Sequence, residues 1–303
     1  PVRACWPIPK SPICSWGAEA MEILQILIFG LVLGSIYALG AVGASLTFGV
    51  LRFANLAHGD LMTWGAFVAL SGVAAGAPLW ASAIVGMAAA AALAVLVDRV
   101  VFRRLRGRDA VVLLFSSFGI GLMIRSLVQI FWGPGTEVYA AGIQLPWKIG
   151  DLRIKPDHVT IILAALGAMT AIHLFLTRTR MGKAMRAVSD NPALARTVGV
   201  DPERVALWVW VIGGAAAALA GVLIGMDTRL HNSMGYRLLL PILAAAILGG
   251  IGSPYGAMVG GLVVGIAEEA STLFISAEYR HAVAFAILVM MLIWRPTGLF
   301  GKR

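Results

Sequence analysis

Three polar groups interrupt an otherwise apolar chain, and each suggests a different kind of work. The longest is 177–204, TRTRMGKAMRAVSDNPALARTVGVDPER, where Ala184, Met185, Ala187, Val188, Ala193, Leu194, Ala195, Val198 and Val200 are interleaved with Lys and Arg. Asp190 or Asn191 is placed to cap a short helix with Pro192 at its first position, and Gly199 to end it in the left-handed conformation. A short amphipathic helix held out in this way offers a knob for a partner's groove; the alternative is a plain connector with a few buried contacts. The second group is Arg52–Asp60, which sets Arg52, Asn55, His58 and Asp60 between two apolar runs. Polar groups so close to a bilayer face a cavity or the bundle interior. Asn55, His58 and Gly59 are therefore candidates to line a path or gate, or else to form a satisfied surface turn. The third group is Gly249, Gly250, Gly252 and Ser253, at a break in the apolar pattern. Its backbone groups could bond a passing zwitterion or satisfy one another.

Two further charges lie inside apolar runs. Arg125 stands about two-thirds of the way along 111–132, and Glu268 and Glu269 stand at about the same fraction of 254–275, which runs in the same direction. An unpaired charge in hydrocarbon costs at least about 2.5–3.5 kcal/mol on insertion scales, so the expectation is an ion pair of Arg125 with Glu268 or Glu269. No catalytic constellation accompanies these residues. The five histidines form no H-E-x-x-H or paired-ligand pattern, and His58 has no second ligand placed by spacing, so no metal is expected. No G-x-x-x-x-G-K-[ST] run occurs, and the closing GLFGKR lacks phosphate-cradling spacing. No cofactor is implied.

The elements that position these residues follow from composition. The 303 residues are 59% hydrophobic and 13% charged, with a mean hydropathy of +0.87. A soluble domain is roughly a quarter charged, so an ordinary cytosolic enzyme and a nucleic-acid binder are excluded. The expected fold is all-α, a polytopic integral membrane protein in which lipid is the solvent. Apolar runs fall near 22–50, 60–76, 78–98, 111–132, 158–176, 205–226, 238–250, 254–275 and 281–295. The first is too long for one simple crossing and the seventh too short, while 41–58 could be one broken helix or two short ones. Discontinuous or re-entrant helices are therefore expected among nine or ten transmembrane elements. Irregular backbone survives at membrane depth only where protein covers it or it lines a cavity. Glycine pairs at Gly30/Gly34, Gly221/Gly225, Gly256/Gly260 and Gly261/Gly265 fit close helix packing.

Basic residues set the orientation. Residues 99–108, 177–204 and 295–303 hold fourteen Lys or Arg, against six in 133–157, 226–237 and 276–281. The positive-inside rule places the first set, and the C-terminus, in the cytoplasm. Residues 1–20 contain four prolines, both cysteines (Cys5 and Cys14) and no apolar core. Met21 is read as the natural start, with 1–20 an upstream or non-native extension and 21–303 a single transmembrane domain.

Beyond these patterns, A-L-A-x-x-x-G at Ala193, Leu194, Ala195 and Gly199 resembles the E-A-A-x-x-x-G coupling loop of ABC importer permeases. GLVLGSIYALGAVGASLTFGVLRFANLAHGDLMTWGAF (30–67), RAVSDNPALARTVGVDPERVALWVWVIGGAAAALAGVL (186–223) and AAAILGGIGSPYGAMVGGLVVGIAEE (244–269) are similar to the LIV-type permeases, which import branched-chain amino acids. The resemblance covers nearly all of 21–300, with Leu56 at an aromatic position of N-F-A-H-G and Ala193 at the acidic position of the loop. It implies a transport subunit rather than an enzyme, the shorter of two paired permeases in a bacterial-type inner membrane. Two cytoplasmic ATPases would dock beneath the pair, and a periplasmic binding protein would deliver substrate. In that picture 184–200 is the coupling helix, Gly199 permits its tight exit, and Arg186 and Arg196 pair with ATPase carboxylates or act only as positive-inside anchors. Permeases for urea and short amides are similar and stay open. An ion-coupled carrier acting alone would need Glu268 or Glu269 as its proton or sodium site, and the coupling-like loop argues against it.

Overall fold

The computed structural model describes residues 12–139, 147–149, 152–295 and 297–300. Residues 1–11 of the N-terminal extension lie outside that range, and 12–20 begin the first helix.

Helix α1 (Pro12–Leu51) is the hub. From Val32 to Thr47 it is buried on every side, as a helix apolar all round must be in a bundle. The run 22–50 is thus one continuous helix, neither broken nor doubled, and no proline interrupts it. The interruption comes just beyond, at Arg52, where φ is +61°. Helix α2 (His58–Ala74) follows. Helix α3 (Leu79–Val97) passes through a π turn at Asp98–Phe102 into the single turn α4 (Arg103–Leu105). Helix α5 (Ala110–Trp132) returns, and the loop after it contains strands β1 (Trp147–Ile149) and β2 (Leu152–Ile154), paired antiparallel with Lys148 opposite Arg153. This hairpin is the small exception to an all-α architecture.

Helix α6 (Pro156–Arg178) leads to two short helices, α7 (Arg180–Asp190) and α8 (Pro192–Thr197), and then α9 (Pro202–Asp227). The last three are α10 (Met234–Gly249), α11 (Pro254–Ser271) and α12 (Arg280–Trp294). Five spans are long and apolar enough to cross a membrane alone: Ile23–Leu51, Leu79–Leu105, Ala110–Trp132, Pro156–Arg178 and Pro202–Asp227. α2, α10, α11 and α12 pack into the same bundle, which gives nine helices of fifteen or more residues among the described residues.

α1 packs against α6, α9, α10 and α11, while α2 lies with α3, α5 and α9. The glycine pairs explain the closest of these contacts. A Cβ on Gly30 would stand 2.9 Å from the Ile266 Cα, and one on Gly34 2.9 Å from the Leu262 Cα. A Cβ on Gly261 or Gly265 would overlap the α1 backbone at Ala38 or Gly34. Hydrocarbon offers no hydrophobic drive between helices, so such backbone approach supplies the dispersion contact that holds them.

Two breaks shape the interior. Arg52–Ala57 runs back from the end of α1, so that α2 starts deep in the bundle with His58 Nε2 donating to the Gly40 carbonyl at 3.0 Å. Gly40 is eleven residues before the end of α1, about 17 Å at 1.5 Å per residue. α10 is similarly short: Gly235 packs on Gly59 at its start, and Ile242 lies against Gly40.

Candidate functional site

The re-entrant segment is held by a few polar contacts, most but not all of its buried groups being paired. The Asn55 side-chain oxygen accepts from the Ala57 N–H at 3.1 Å, and the Leu56 N–H donates to the Ser117 hydroxyl of α5 at 3.1 Å. Asn55 Nδ2 is buried with no partner among the described residues. Gly59 has to be glycine, because a Cβ there would strike the Gly235 carbonyl. Asp60, in the first turn of α2, is 2% exposed. Its carboxylate takes Arg125 Nε at 3.1 Å and Nη2 at 3.3 Å, the forked geometry that makes Arg–carboxylate pairs strong. The Arg125 guanidinium also lies 4.3 Å from the centroid of the Tyr236 ring on α10, a cation–π distance.

This arrangement corrects the expected pairing of Arg125 with Glu268 or Glu269. Equal depth does not bring the residues together, because α5 packs on α2 whereas α11 packs on α1, α10 and α12. Glu268 is fully buried and accepts from the Tyr37 hydroxyl at 2.7 Å, with His281 Nδ1 at 3.3 Å. Glu269 meets Arg280 at 3.8 Å. The sequence argument missed the partner because Asp60 sits beside a loop, and the depth of α2 is set only by the re-entrant backbone.

The glycine break is an elbow between α10 and α11. Gly250 and Gly252 take φ of +109° and +82°, and the Ser253 hydroxyl caps the Gly256 N–H at 3.2 Å. The backbone there is not left open: Leu299 and Phe300 donate N–H groups to the Leu248 and Gly249 carbonyls at 2.9 and 3.1 Å. A cavity of about 640 Å³ separates the elbow from the end of α1 and from α7, lined by Arg52, Arg186, Ser189, Ser253 and Tyr255 among others. The predicted gate residues at 249–253, Leu299–Phe300 and the polar loop therefore meet at one face of the bundle. His58 and Gly59 lie deeper.

The loop 177–204 folds as two short helices. α7 buries Gly182, Met185 and Val188 and leaves Arg186 exposed. The Asn191 carboxamide oxygen accepts from Ala193 and Leu194 N–H at 3.0 and 3.1 Å, with Pro192 at the first position of α8. Gly199 ends the helix at φ +82°. Ala195 faces inward at 3% exposure, whereas Leu194 and Val198 stand 64% and 76% exposed, beside the exposed Ala193 and Arg196.

This surface is tied to the bundle on both sides. Arg52 Nη2 donates to the Ser189 carbonyl in the last turn of α7 at 3.0 Å. Beyond α8, Arg106 joins Asp98 at 2.7 Å and Glu203 at 2.6 Å. Burial pulls the Arg106 pKa down, but its bonds to these two carboxylates outweigh that and raise it overall, so the guanidinium stays charged. Beneath them Phe102 stacks on Trp210, with centroids 5.1 Å apart and planes 7° from parallel, and Phe53 packs against Phe102 at a tilt of 44°. Among the described residues no group of three His, Cys, Asp and Glu converges to hold a metal ion.

Comparison with known proteins gives this geometry its context. The family described as "Branched-chain amino acid transport system / permease component" matches residues 26–292. The high-affinity branched-chain amino acid transport system permease protein LivH of Escherichia coli K12 is 33% identical over 299 residues, covering 94% of this chain and 97% of LivH. LivM of the same organism, named as a permease of the same transport system, is 26% identical, with 87% of this chain and 67% of LivM covered. Among solved structures, a chain of PsaBC from Streptococcus pneumoniae in complex with Fab shares the fold at a TM-score of 0.53 and 14% identity, over 93% of this chain and 95% of that one. The match along nearly the whole length places this chain among the branched-chain amino acid ABC transporter permeases.

Proposed function

We propose that this permease works as one of two unlike membrane subunits of an ATP-driven importer that takes branched-chain amino acids from a periplasmic binding protein. The observation that carries this reading is α8: a capped six-residue helix that exposes Leu194, with Val198 exposed just beyond its end, and keeps Ala195 inside. Apolar side chains so exposed on a basic loop fit a groove on another protein. Cytoplasmic ATPases supply that groove and the hydrolysis, and a longer LivM-like permease completes the pore. The basic face carrying α7, α8 and the C-terminus is the cytoplasmic one.

Movement of α8 reaches the interior through connections named above. α7 holds Arg52, and Arg52 opens the re-entrant segment that ends at His58, Gly59 and Asp60. A tilt of the docked helices therefore pulls on the start of α2. Arg186 and Arg196 are exposed and free to meet carboxylates of the ATPase.

The test is a pull-down from solubilised native membranes of wild type beside Gly199→Asp. Gly199 has open space around it but φ of +82°, so the variant disturbs the exit of α8 without a clash in the bundle. Wild type should bring down ATPase subunits and ATP hydrolysis, and the variant should lose both. A wild-type protein that purifies alone and accumulates substrate without ATP sinks the reading.

A further inference from the structure

Arg237 is the residue that nothing so far has used. By sequence it stands at the edge of the 226–237 loop, but in the structure it is the fourth residue of α10. It lies twelve residues before Gly249, about 18 Å from the elbow at 1.5 Å per residue, within a hydrocarbon layer about 30 Å thick. Arg237 is exposed and has no ion-pair partner among the described residues. Beside it Tyr236 is 46% exposed, with the Arg125 guanidinium against its ring. Arg125 commits Nε and Nη2 to Asp60, and its Nη1 has no partner among the described residues. Two guanidinium groups and one carboxylate thus leave one uncompensated positive charge at membrane depth. Exposed to lipid, that charge would carry the insertion penalty; facing a wet path, it would not.

We infer that Arg237, with Tyr236 and the free edge of Arg125, forms a transient subsite for the carboxylate of an α-amino acid on the translocation face. This deepens the proposed function and rests on it. The positive ends of two interrupted helices, α2 and α10, point toward the same depth, an arrangement that favours an anionic group. Leu240, one turn below Tyr236 and 37% exposed, supplies apolar contact for an aliphatic side chain. The pair Asp60–Arg125 holds the guanidinium over the Tyr236 ring, so Asp60 is a positioning residue that touches no substrate.

The experiment uses the assembled transporter in proteoliposomes, with Cys5 and Cys14 replaced by Ser and Leu240→Cys as reporter. A charged, water-soluble thiosulfonate should modify position 240. Leucine at tens of millimolar should slow that modification, and leucinamide, which lacks the carboxylate, should not. Adding Arg237→Gln should abolish the protection and lower leucine uptake at least tenfold, while Arg237→Lys keeps part of both. An unreactive position 240 means the face meets lipid or protein, and overturns the subsite. So does equal protection by leucinamide, wild-type uptake by Arg237→Gln, or loss of the second permease from Arg237→Gln preparations, which would make Arg237 an inter-subunit contact. If wild type brings down neither permease partner nor ATPases, the importer reading falls and the subsite with it. If it brings down both, any of the other failures removes the subsite alone.

Discussion

Removing the carboxylate of Asp60 isolates a guanidinium that cannot shed its proton. Asp60 is 2% exposed and the Arg125 side chain 22%, and both lie within helices of the bundle. Breaking a buried pair by deleting one partner costs about 3–5 kcal/mol, so Asp60→Ala is expected to lose that much. Arg125→Ala leaves a carboxyl group that can neutralise itself by taking up a proton, and should cost roughly 1–3 kcal/mol, the penalty of one unsatisfied buried polar group. The double variant removes both charges and should cost less than the sum, with a coupling of about 2 kcal/mol. The assay is unfolding in mixed detergent–SDS micelles followed by circular dichroism, with all variants in the same lipid and pH. Arg125→Ala combined with Glu268→Ala serves as the control. Since Glu268 is held by Tyr37 and His281 instead, those two changes should add within about 0.5 kcal/mol. Additivity at Asp60/Arg125, or strong coupling at Arg125/Glu268, would refute the placement of α2 against α5.

Three other outcomes follow from the same structure. Tyr37→Phe takes the short hydroxyl bond from a fully buried Glu268 and should cost about 1–3 kcal/mol in the same unfolding assay. Gly265→Leu drives a side chain into the α1 backbone at Gly34 and should destabilise by about 1–3 kcal/mol or more, seen as loss of the monodisperse peak on size exclusion. Arg52→Val places a β-branched residue at φ +61° and should lose about 1–2 kcal/mol, whereas Arg52→Gly accepts that backbone. Comparing the two variants by thermal melting separates backbone strain from the bond to Ser189.

Much of this protein was legible without coordinates. The scarcity of charge puts the chain in lipid, and apolar runs of about 20 residues make it helical, because a helix pairs every backbone group within its own segment. The cap at Asn191, the proline after it and Gly199 mark α8 because capping is local chemistry, settled within four residues. The glycine pairs likewise announce close packing, though not which helix they meet. Depth was another matter. Residues 52–57 turn back into the bundle, and α10 starts below the surface. The run of apolar residues records neither event, since a half-crossing and a loop flank look alike in one dimension. For that reason fractional position matches Arg125 to Glu268 or Glu269, and Arg237 counts with a loop. Ion pairing depends on three-dimensional adjacency within a few ångströms, and only the packing of α2 between α5 and α10 brings Asp60, Arg125 and Tyr236 together. The sequence by itself determined the class of molecule, most of its helices and the capped helix of its basic loop. The tertiary structure decided which charges neighbour one another, because re-entrant backbone resets depth in a way that hydrophobic periodicity does not encode.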